Sequence, residues 1–406
     1  MQTTITENIL RTAQGQEADA ILRRCVHCGF CTATCPTYQL LGDELDAPRG
    51  RIYLIKQLLE GQAVTRKTQL HLDRCLTCRA CETTCPSGVN YHRLADLGRE
   101  MLEQQVARPL HERLLRFGLR KVLPYRSRFS PLVKLGRALA PLLPAALKTK
   151  IPPLQTAKPW PNQTHARRML LLNACGQADG APNTNAAAAR VLDRLGVQLI
   201  DTPKAGCCGA VSHHLAQPAE AKDFIRANID AWWPHIEAGA EAIVITASGC
   251  GAMVKDYGEL LQDDAEYAAK ARRVAALARD ICEVLTPEDL SALHPGSSGI
   301  KVAFHAPCTL QHGQKINGVV EGILQKAGYT LTRVPDAHLC CGSAGTYSIL
   351  QGTLSRQLLA NKVQALESEQ PDVIATANIG CHLHLQSGAH VAVKHWIELL
   401  EEALPQ

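Results

Sequence analysis

Short apolar runs alternate with amphipathic segments through the second half of the chain. The runs typical of buried β-strands are MLLLNAC (169–175), VQLID (197–201), AIVITASGC (242–250), KVAFHAPC (301–308), YTLTRV (329–334) and DVIATANIGC (372–381). Helix-like segments such as NTNAAAARVLDRLG (183–196) and VVEGILQKAG (319–328) lie between them. Strands that alternate with helices predict parallel α/β units. In such sheets ligands gather beyond the carboxyl ends of the strands.

The N-terminal part of the chain has a different pattern. In DELDAPRGRIYLIKQLLEG (43–61) the apolar residues Ile52, Ile55, Leu58 and Leu59 recur at helical spacing. This spacing predicts a helix-rich N-terminal domain rather than a small β-rich one. The predicted fold class is therefore a multi-domain α/β protein with an α-helical N-terminal domain.

A strongly basic segment, residues 108–168, separates these two parts. It contains fourteen Lys and Arg against one acid, Glu112, so it carries +13 in a chain of formal net charge +5. Within it, HERLLRFGLRKVL (111–123) and PLVKLGRALAPLL (131–143) are basic and amphipathic. Such helices suit an anionic lipid surface, and packing on a neighbouring domain is the alternative. Few aromatic residues and no groove-reading motif argue against nucleic acid as a partner.

The composition is that of an ordinary globular protein except for cysteine. Apolar residues make up 46% and charged residues 20%, but the chain has 17 cysteines. The start MQTTITENIL lacks the features of a signal peptide, and no apolar run approaches the ~20 residues that span a bilayer. These features predict a reducing cytoplasm, where structural disulfides are rare. Metal binding or redox chemistry is then the expected use of the cysteines.

Eight cysteines form two copies of the phrase C-x2-C-x2-C-x3-C-P, at 25–36 and 75–86. Three closely spaced thiolates wrap one iron–sulfur cube, and in a two-cluster ferredoxin the fourth cysteine ligates the other cluster. The predicted ligands are therefore crossed: Cys25, Cys28, Cys31 and Cys85 for one [4Fe–4S] cluster, and Cys75, Cys78, Cys81 and Cys35 for the other. Zinc is the alternative, although its ligands usually come as separated C-x2-C pairs. Pro36 and Pro86, after the fourth cysteines, are predicted to stop a helix.

Three basic residues accompany the first phrase: His27, Arg49 and Arg51. Charge or hydrogen bonds from such residues can tune a cluster. The expected role is nevertheless that of solvated or helix-packing residues, because basic side chains are seldom buried.

Eight of the other nine cysteines form a second repeat. Its copies are Cys175, Cys207, Cys208 and Cys250, and Cys308, Cys340, Cys341 and Cys381. The first gap is 32 positions in both copies, and the copies start 133 residues apart, which indicates a duplicated domain. Each copy predicts one thiolate site for an iron–sulfur cluster or zinc, with buried inert cysteine as the alternative. Cys282 lies outside the repeat and is interpreted as a core residue.

Other residues of the repeat bear on the same sites. Gly209 and Gly342 follow the Cys-Cys pairs and permit tight turns that face both thiols into one site. Four histidines near copy two are candidates for extra ligands or proton carriers, with structural roles as the alternative. They are His305, His338, His382 and His384, of which His305 and His382 are the better candidates.

Together the two cysteine patterns resemble the iron–sulfur subunits of glycolate oxidase (glycolate dehydrogenase). These combine a two-cluster ferredoxin with two domains called CCG after the Cys-Cys-Gly motif. The likeness covers essentially the whole chain, including the segments 25–61, 227–258, 308–321 and 338–347. The architecture is similar to that of the iron–sulfur subunit of anaerobic glycerol-3-phosphate dehydrogenase and of the CCG subunit of heterodisulfide reductase. The resemblance implies transfer of electrons toward a quinone or membrane acceptor from FAD-containing subunits that oxidise glycolate to glyoxylate.

One departure limits what the resemblance implies. In heterodisulfide reductase each CCG motif ends in C-x2-C, whereas the earlier positions here are Ala247 and Asn378. Each copy therefore has four cysteines, and a five-cysteine noncubane cluster is not carried over.

We predict an electron-transfer subunit that does not itself bind the substrate. The sequence has no G-x-G-x-x-G after a strand and no recognisable Ser–His–Asp or HExxH arrangement, so a partner must handle the substrate. The predicted domains are the ferredoxin at 1–107, the connector at 108–168, and the CCG domains at 169–290 and 300–406. The expected location is cytoplasmic, peripheral on the inner membrane. A lactate or glycerol-3-phosphate dehydrogenase subunit and a non-conducting assembly module are the alternatives.

Overall fold

A computed structural model of the chain describes residues 1–142, 152, 154–290 and 299–405. Part of the predicted connector lies outside the described residues, including the end of its second amphipathic segment at 143. The last residue of the predicted second CCG domain, 406, also lies outside them.

The N-terminal part is helical, as the apolar spacing predicts. Its helices are α1 (Glu7–Leu10), α2 (Ala13–Arg24), α3 (Pro36–Leu41), α4 (Pro48–Leu59), α5 (Arg66–Asp73), α6 (Ala80–Thr83), α7 (Tyr91–Gln105), α8 (Leu110–Val122) and α9 (Arg126–Leu139). The predicted apolar stripe of α4, including Ile55 and Leu58, is buried against Leu94 and Leu97 of α7. Burial of this stripe holds the two cysteine-bearing loops on one apolar core.

Cys35 is extended, so the chain does not continue a helix through the fourth cysteine, and Pro36 is instead the first residue of a new helix, α3. Proline is well tolerated at the first helical position, where its missing N–H would have no partner inside the helix and its φ already suits the helix. Cys35 therefore directly precedes the N-terminus of a helix.

Each cysteine-rich copy is built on a parallel sheet, which confirms the predicted α/β class. In the described residues the sheet orders are β2-β1-β3-β4 and β6-β5-β7-β8. The strands are β1 (Arg167–Leu171), β2 (Val197–Asp201), β3 (Ile243–Ile245), β4 (Ala278–Asp280), β5 (Lys301–His305), β6 (Thr330–Leu331), β7 (Val373–Thr376) and β8 (Ala392–His395). The identical strand order follows from the duplication.

Helices connect and flank these strands. They are α10 (Gln177–Gly180), α11 (Pro182–Arg194), α12 (Ala210–His214), α13 (Pro218–Glu237), α14 (Ser248–Lys255), α15 (Tyr257–Leu260), α16 (Ala268–Leu277), α17 (Ile281–Leu285), α18 (Val319–Lys326), α19 (Tyr347–Leu350), α20 (Gly352–Glu367), α21 (Ile379–Gln386) and α22 (Trp396–Glu402). The strands are shorter than the apolar runs that predict them. Cys175 and Cys308 lie beyond the ends of β1 and β5, and Cys250 and Cys381 lie in α14 and α21.

The two copies share one apolar core and meet where their cysteines lie. Leu171, Val191 and Cys282 of the first copy belong to the same buried cluster as Val302 and Trp396 of the second. Burial of Cys282 agrees with its interpretation as a core residue. At the surface where the copies meet, the hydroxyl oxygens of Ser248 and Thr309 are 2.8 Å apart.

Polar contacts join the helical part to both copies. Asp96 of α7 lies 3.0 Å from His213 of copy one, and Thr83 lies 3.0 Å from His312 of copy two. Arg79 also pairs with Asp256. These contacts fix the ferredoxin-like loops against the carboxyl ends of the sheets, where ligands of parallel sheets gather.

Candidate metal centres

The two C-x2-C-x2-C loops have the same unusual backbone. His27 and Thr77 have φ values of 55° and 52°, and Gly29 and Arg79 have φ values of 87° and 61°. Non-glycine residues seldom adopt positive φ, and such strain clusters at functional sites. The repeated geometry turns the cysteines of each phrase inward around a pocket.

The first pocket gathers one crossed set of cysteines. Its lining includes Cys25, Cys28, Cys31 and Cys85. Cys85 comes from the second phrase, so the fold brings it to the three cysteines of the first phrase. Burial raises the pKa of the Cys31 thiol to about 11.

The second pocket gathers the other crossed set. Its lining includes Cys35, Cys75, Cys78 and Cys81. Cys81 and Tyr91 line both pockets, so the two sites are immediate neighbours. Burial raises the pKa of Cys78 and Cys81 well above that of a free thiol.

Basic and hydroxyl groups surround Cys35 and Cys75. Arg51 Nη1 lies 3.9 Å from the sulfur of Cys35, and the Tyr91 hydroxyl donates to the sulfur of Cys75 at 3.6 Å. Burial alone would raise the pKa of Cys75, but the guanidinium groups of Arg51 and Arg99 outweigh it and lower that pKa. These groups favour a thiolate at Cys75.

Of the two expected roles of Arg51, solvated or helix-packing, the solvated one is wrong. Its side chain is 1% exposed and lies 3.3 Å from the fully buried carboxylate of Asp46. Burial is tolerated because Arg51 Nε also donates to the carbonyl of His71 at 2.8 Å and Nη2 to Thr37 at 3.0 Å. Arg49, by contrast, is partly exposed and pairs with Glu44.

In copy one the four predicted cysteines contact one another in a row. Cys175 and Cys208 flank Cys207 and raise its pKa, and Cys208 likewise raises the pKa of Cys250. Leu172 packs in the same apolar cluster as Cys208. The site of copy one therefore consists of four thiols with the apolar side chain of Leu172 packed beside them.

In copy two the predicted cysteines form the same row. The sulfurs of Cys308 and Cys340 are 3.8 Å apart, Cys341 contacts Cys340 and Cys381, and all four are buried. A bound cation would stabilise the ionised form of these buried, converging cysteines. The donor set therefore fits a soft metal centre.

The glycines of the Cys-Cys-Gly motifs have the predicted role in the turn. Gly209 and Gly342 have φ values of 91° and 90°, a conformation that side chains rarely adopt. Their amides donate to the sulfurs of Cys207 and Cys340, each at 3.4 Å. A Cβ on Gly342 would lie 2.7 Å from the carbonyl oxygen of Ser355, so only glycine fits here.

Asn378 bridges the two copies. Its Nδ2 donates to the sulfur of Cys381 at 3.4 Å, and its Oδ1 accepts from the amide of Gly249 at 3.1 Å. Ala247 at the matching position of copy one has no side-chain polar group. Asn378 thus supports Cys381 by a hydrogen bond, a role that the spacing does not indicate.

The four candidate histidines separate in the structure. Within the described residues, a ring nitrogen of His305 and the sulfurs of Cys341 and Cys381 lie within 4.8 Å of one another. His382 is buried beside the backbone of Val393, and His384 lies 3.2 Å from the hydroxyl of Ser355. The carbonyl of His338 lies 3.0 Å from the ring of His312.

Copy two also lies against the second ferredoxin-like pocket. Cys308, Cys340 and Tyr347 share an apolar cluster with Leu76, and Cys78 packs on it. The negative charge of Cys308 is one cause of the raised pKa of Cys78. Three of the four thiol sites are therefore consecutive neighbours: the first pocket, the second pocket and copy two.

Several residues of these sites carry no sequence signal of their own. Tyr91, Arg99 and Lys362 lie far along the chain from the thiols that they approach, and only the tertiary fold brings them together. Within the described part of the chain, the helices are too short or too polar to cross a bilayer.

Comparison with known proteins agrees with this organisation. A 4Fe-4S dicluster domain family matches residues 21–89, and a cysteine-rich domain family matches residues 169–255 and 302–386. The glycolate oxidase iron-sulfur subunit of Escherichia coli (strain K12) is 60% identical over 405 residues, which cover 100% of this chain and 99% of that protein.

Two further relatives are more distant. The probable glycolate oxidase iron-sulfur subunit of Bacillus subtilis (strain 168) is 28% identical over 94% of both chains. Lactate utilization protein A of Anoxybacillus flavithermus is 30% identical over 54% of this chain and 92% of its own length. Because the first likeness is both close and full-length, the chain belongs to the family of glycolate oxidase iron–sulfur subunits.

Proposed function

We propose that this chain is the electron-transfer subunit of a complex that oxidises glycolate to glyoxylate. In this proposal FAD-containing partner subunits oxidise the substrate, and the electrons pass toward a quinone or another membrane acceptor. The row of three neighbouring thiol sites is the observation that carries the proposal. The substrate follows from the full-length likeness to the glycolate oxidase iron-sulfur subunit of E. coli.

Two [4Fe–4S] clusters would be held by the crossed sets, and further iron–sulfur or zinc groups by the two CCG copies. The proposed ligands are Cys25, Cys28, Cys31 and Cys85; Cys75, Cys78, Cys81 and Cys35; Cys175, Cys207, Cys208 and Cys250; and Cys308, Cys340, Cys341 and Cys381. Bound iron–sulfur clusters supply one-electron redox chemistry at potentials set by charge, hydrogen bonds and solvent exposure.

In the second pocket the surrounding residues provide charge, a hydrogen bond and apolar packing. Arg51 and Arg99 place positive charge beside Cys35 and Cys75. Tyr91 donates a hydrogen bond to the sulfur of Cys75, and the buried apolar side chains of Leu76 and Tyr347 pack between this pocket and copy two. Apolar packing around donor sets limits solvent access to them and helps to set the redox potential of a bound group.

The isolated chain is expected to contain iron and sulfide but no flavin, and glycolate should not reduce it. Co-expression with the FAD-containing subunits should make its visible absorbance bleach on addition of glycolate. The measurement is an anaerobic absorbance titration of both preparations, with flavin quantified after acid release. Stoichiometric flavin in the isolated chain would contradict this division of labour.

The same titration separates the alternatives. Lactate or glycerol-3-phosphate in place of glycolate tests the related dehydrogenases, since only the substrate of the partner subunits delivers electrons. A chain whose clusters stay oxidised in the intact complex, although dithionite reduces them, would be an assembly module rather than a conductor.

We also propose that helices α8 and α9 place the subunit on an anionic membrane surface. Leu110, Leu114 and Phe117 recur along one side of α8 and are 67%, 60% and 51% exposed. On α9, Leu132 and Leu135 are similarly exposed. Apolar side chains left in water on two consecutive helices are typical of a surface that another apolar phase covers.

The charges of these helices are divided in the way that a membrane surface requires. Arg116 and Arg120 turn inward, where they pair with Asp73 and Glu220. The exposed basic side chains are Arg113, Arg126, Arg128 and Lys134. Each basic residue near an anionic bilayer contributes roughly 1 kcal/mol, so this surface favours acidic lipid over a neutral one.

The double variant Leu114→Glu, Phe117→Glu is expected to weaken binding to phosphatidylglycerol-containing vesicles by at least about tenfold, because about 1.4 kcal/mol is tenfold in affinity and two apolar contacts are lost. Vesicle co-sedimentation at low and high salt measures the effect. Leu10→Glu, at an exposed leucine of α1, is the matched control and should bind as the unmodified chain does. If the double variant keeps its vesicle binding but loses the flavin subunits, these helices form a subunit interface instead.

A further inference from the structure

The two CCG copies differ at one position of their donor sets. His305 and Leu172 each lie three residues before the first cysteine of their copies, Cys308 and Cys175. Leu172 directly follows the last residue of β1, and His305 is the last residue of β5. Both side chains are buried beside the Cys-Cys pair of their copy. Copy two thus presents an imidazole where copy one presents hydrocarbon.

The imidazole is placed as a metal ligand is placed. His305 is 2% exposed, and its ring lies within 4.8 Å of the sulfurs of Cys341 and Cys381. Its Nδ1 lies 3.2 Å from the hydroxyl of Thr376. Its buried Nε2 has no hydrogen-bond partner among the described residues. A buried polar atom without a partner is destabilising, and a metal ion bound at Nε2 would supply the missing partner.

The contact with Thr376 fits the same role. A metal-binding histidine usually engages its second ring nitrogen in a hydrogen bond, which fixes the orientation of the ring. Thr376 is the last residue of β7, the neighbour of β5, and is fully buried. The ring is therefore held by the sheet itself.

The charge around copy two also differs from that around copy one. Lys362 of α20 is buried, donates to the carbonyl of Asp336 at 2.8 Å, and interacts with the thiols of Cys340 and Cys341. The corresponding helix of copy one has the neutral Asn228 near Cys207. A buried cation offsets the negative charge that several thiolates bring to copy two.

We propose that His305 is a ligand of the metal group at copy two, through Nε2, so that copy two has mixed nitrogen and sulfur ligation while copy one has thiolates alone. The inference rests on the proposed occupation of copy two by a metal group. Zinc and iron–sulfur clusters both accept imidazole together with thiolate, and the element count distinguishes them.

The test compares three full-length variants prepared anaerobically: His305→Leu, which installs the copy-one residue, His305→Cys, and His382→Leu as a buried histidine of the same copy. Iron, zinc and sulfide are counted per chain. Pulsed EPR on protein with nitrogen-15 histidine, with cobalt in place of any zinc, measures histidine coupling. His305→Leu should lose the copy-two metal, His305→Cys should retain metal without the histidine coupling, and His382→Leu should match the unmodified chain.

Unchanged metal content in His305→Leu, or equal losses in His305→Leu, His305→Cys and His382→Leu, would overturn the proposal. Absence of histidine coupling in the unmodified chain would do so as well. Cys341→Ala gives the reference for an emptied copy-two site, and no change in metal content there would also count against it. The proposed function has a separate test: an unmodified chain without the about eight iron atoms expected for the two ferredoxin-like sites would contradict it, whatever the result at copy two.

Discussion

Cys35→Ser is expected to remove about four iron atoms per chain, and to remove them from the site of Cys75, Cys78 and Cys81. Cys35 lies beside Cys28 and Cys31 in the sequence, but its sulfur lines the second pocket, next to Arg51. The loss of one of four thiolates leaves a corner of a cubane cluster without its soft ligand. EPR of the reduced protein, with iron and sulfide counts, measures the effect.

Two reference variants assign the loss. Cys28→Ser should empty the first pocket, and Cys78→Ser the second. The spectrum of Cys35→Ser should then match that of Cys78→Ser, and the spectrum of Cys85→Ser should match that of Cys28→Ser. A Cys35→Ser spectrum that matches Cys28→Ser would refute the crossed ligand sets.

The sequence predicts those parts of the fold that depend on repetition and local pattern. The apolar spacing of Ile52, Ile55 and Leu58 predicts α4, and the two equal gaps of 32 positions predict two equivalent sheets. The Cys-Cys-Gly motif predicts the turn, because the positive φ of Gly209 and Gly342 is a local requirement. Such features are encoded within a few residues of where they appear.

Other features depend on contacts between distant segments and have no local signal. The local pattern predicts Arg51 as a solvated or helix-packing residue and does not indicate the buried polar contacts that it makes with Asp46, Thr37 and the carbonyl of His71. Asn378 stands where heterodisulfide reductase has a cysteine; its hydrogen bond to Cys381 is local, but the one that it accepts from the amide of Gly249 depends on the packing of copy one on copy two. Packing of the second pocket on copy two likewise becomes visible only in the folded chain.

Arg51→Met is expected to destabilise the helical part by about 3–5 kcal/mol, the usual cost of breaking a buried ion pair. The substitution removes one of the two guanidinium partners of the fully buried Asp46 carboxylate, leaving Arg74 as the other, and it leaves the carbonyl of His71 without its 2.8 Å donor. Methionine fills much of the same volume, so lost charge rather than a cavity dominates the change.

Arg49→Met is the matched control, two positions away on the same helix with the same substitution. Its partner Glu44 is 44% exposed and its own side chain 35% exposed, so the pair contributes only about 0–1 kcal/mol. Urea-induced loss of cluster absorbance under anaerobic conditions reports unfolding of the helical part in each variant. Arg51 also contacts Cys35. If only Arg51→Met loses its cluster absorbance at a lower urea concentration, the buried ion pair is needed to retain the cluster in the second pocket. Equal midpoints for the two variants would mean that Arg74, 2.8 Å from the other Asp46 oxygen, is sufficient to compensate that buried charge.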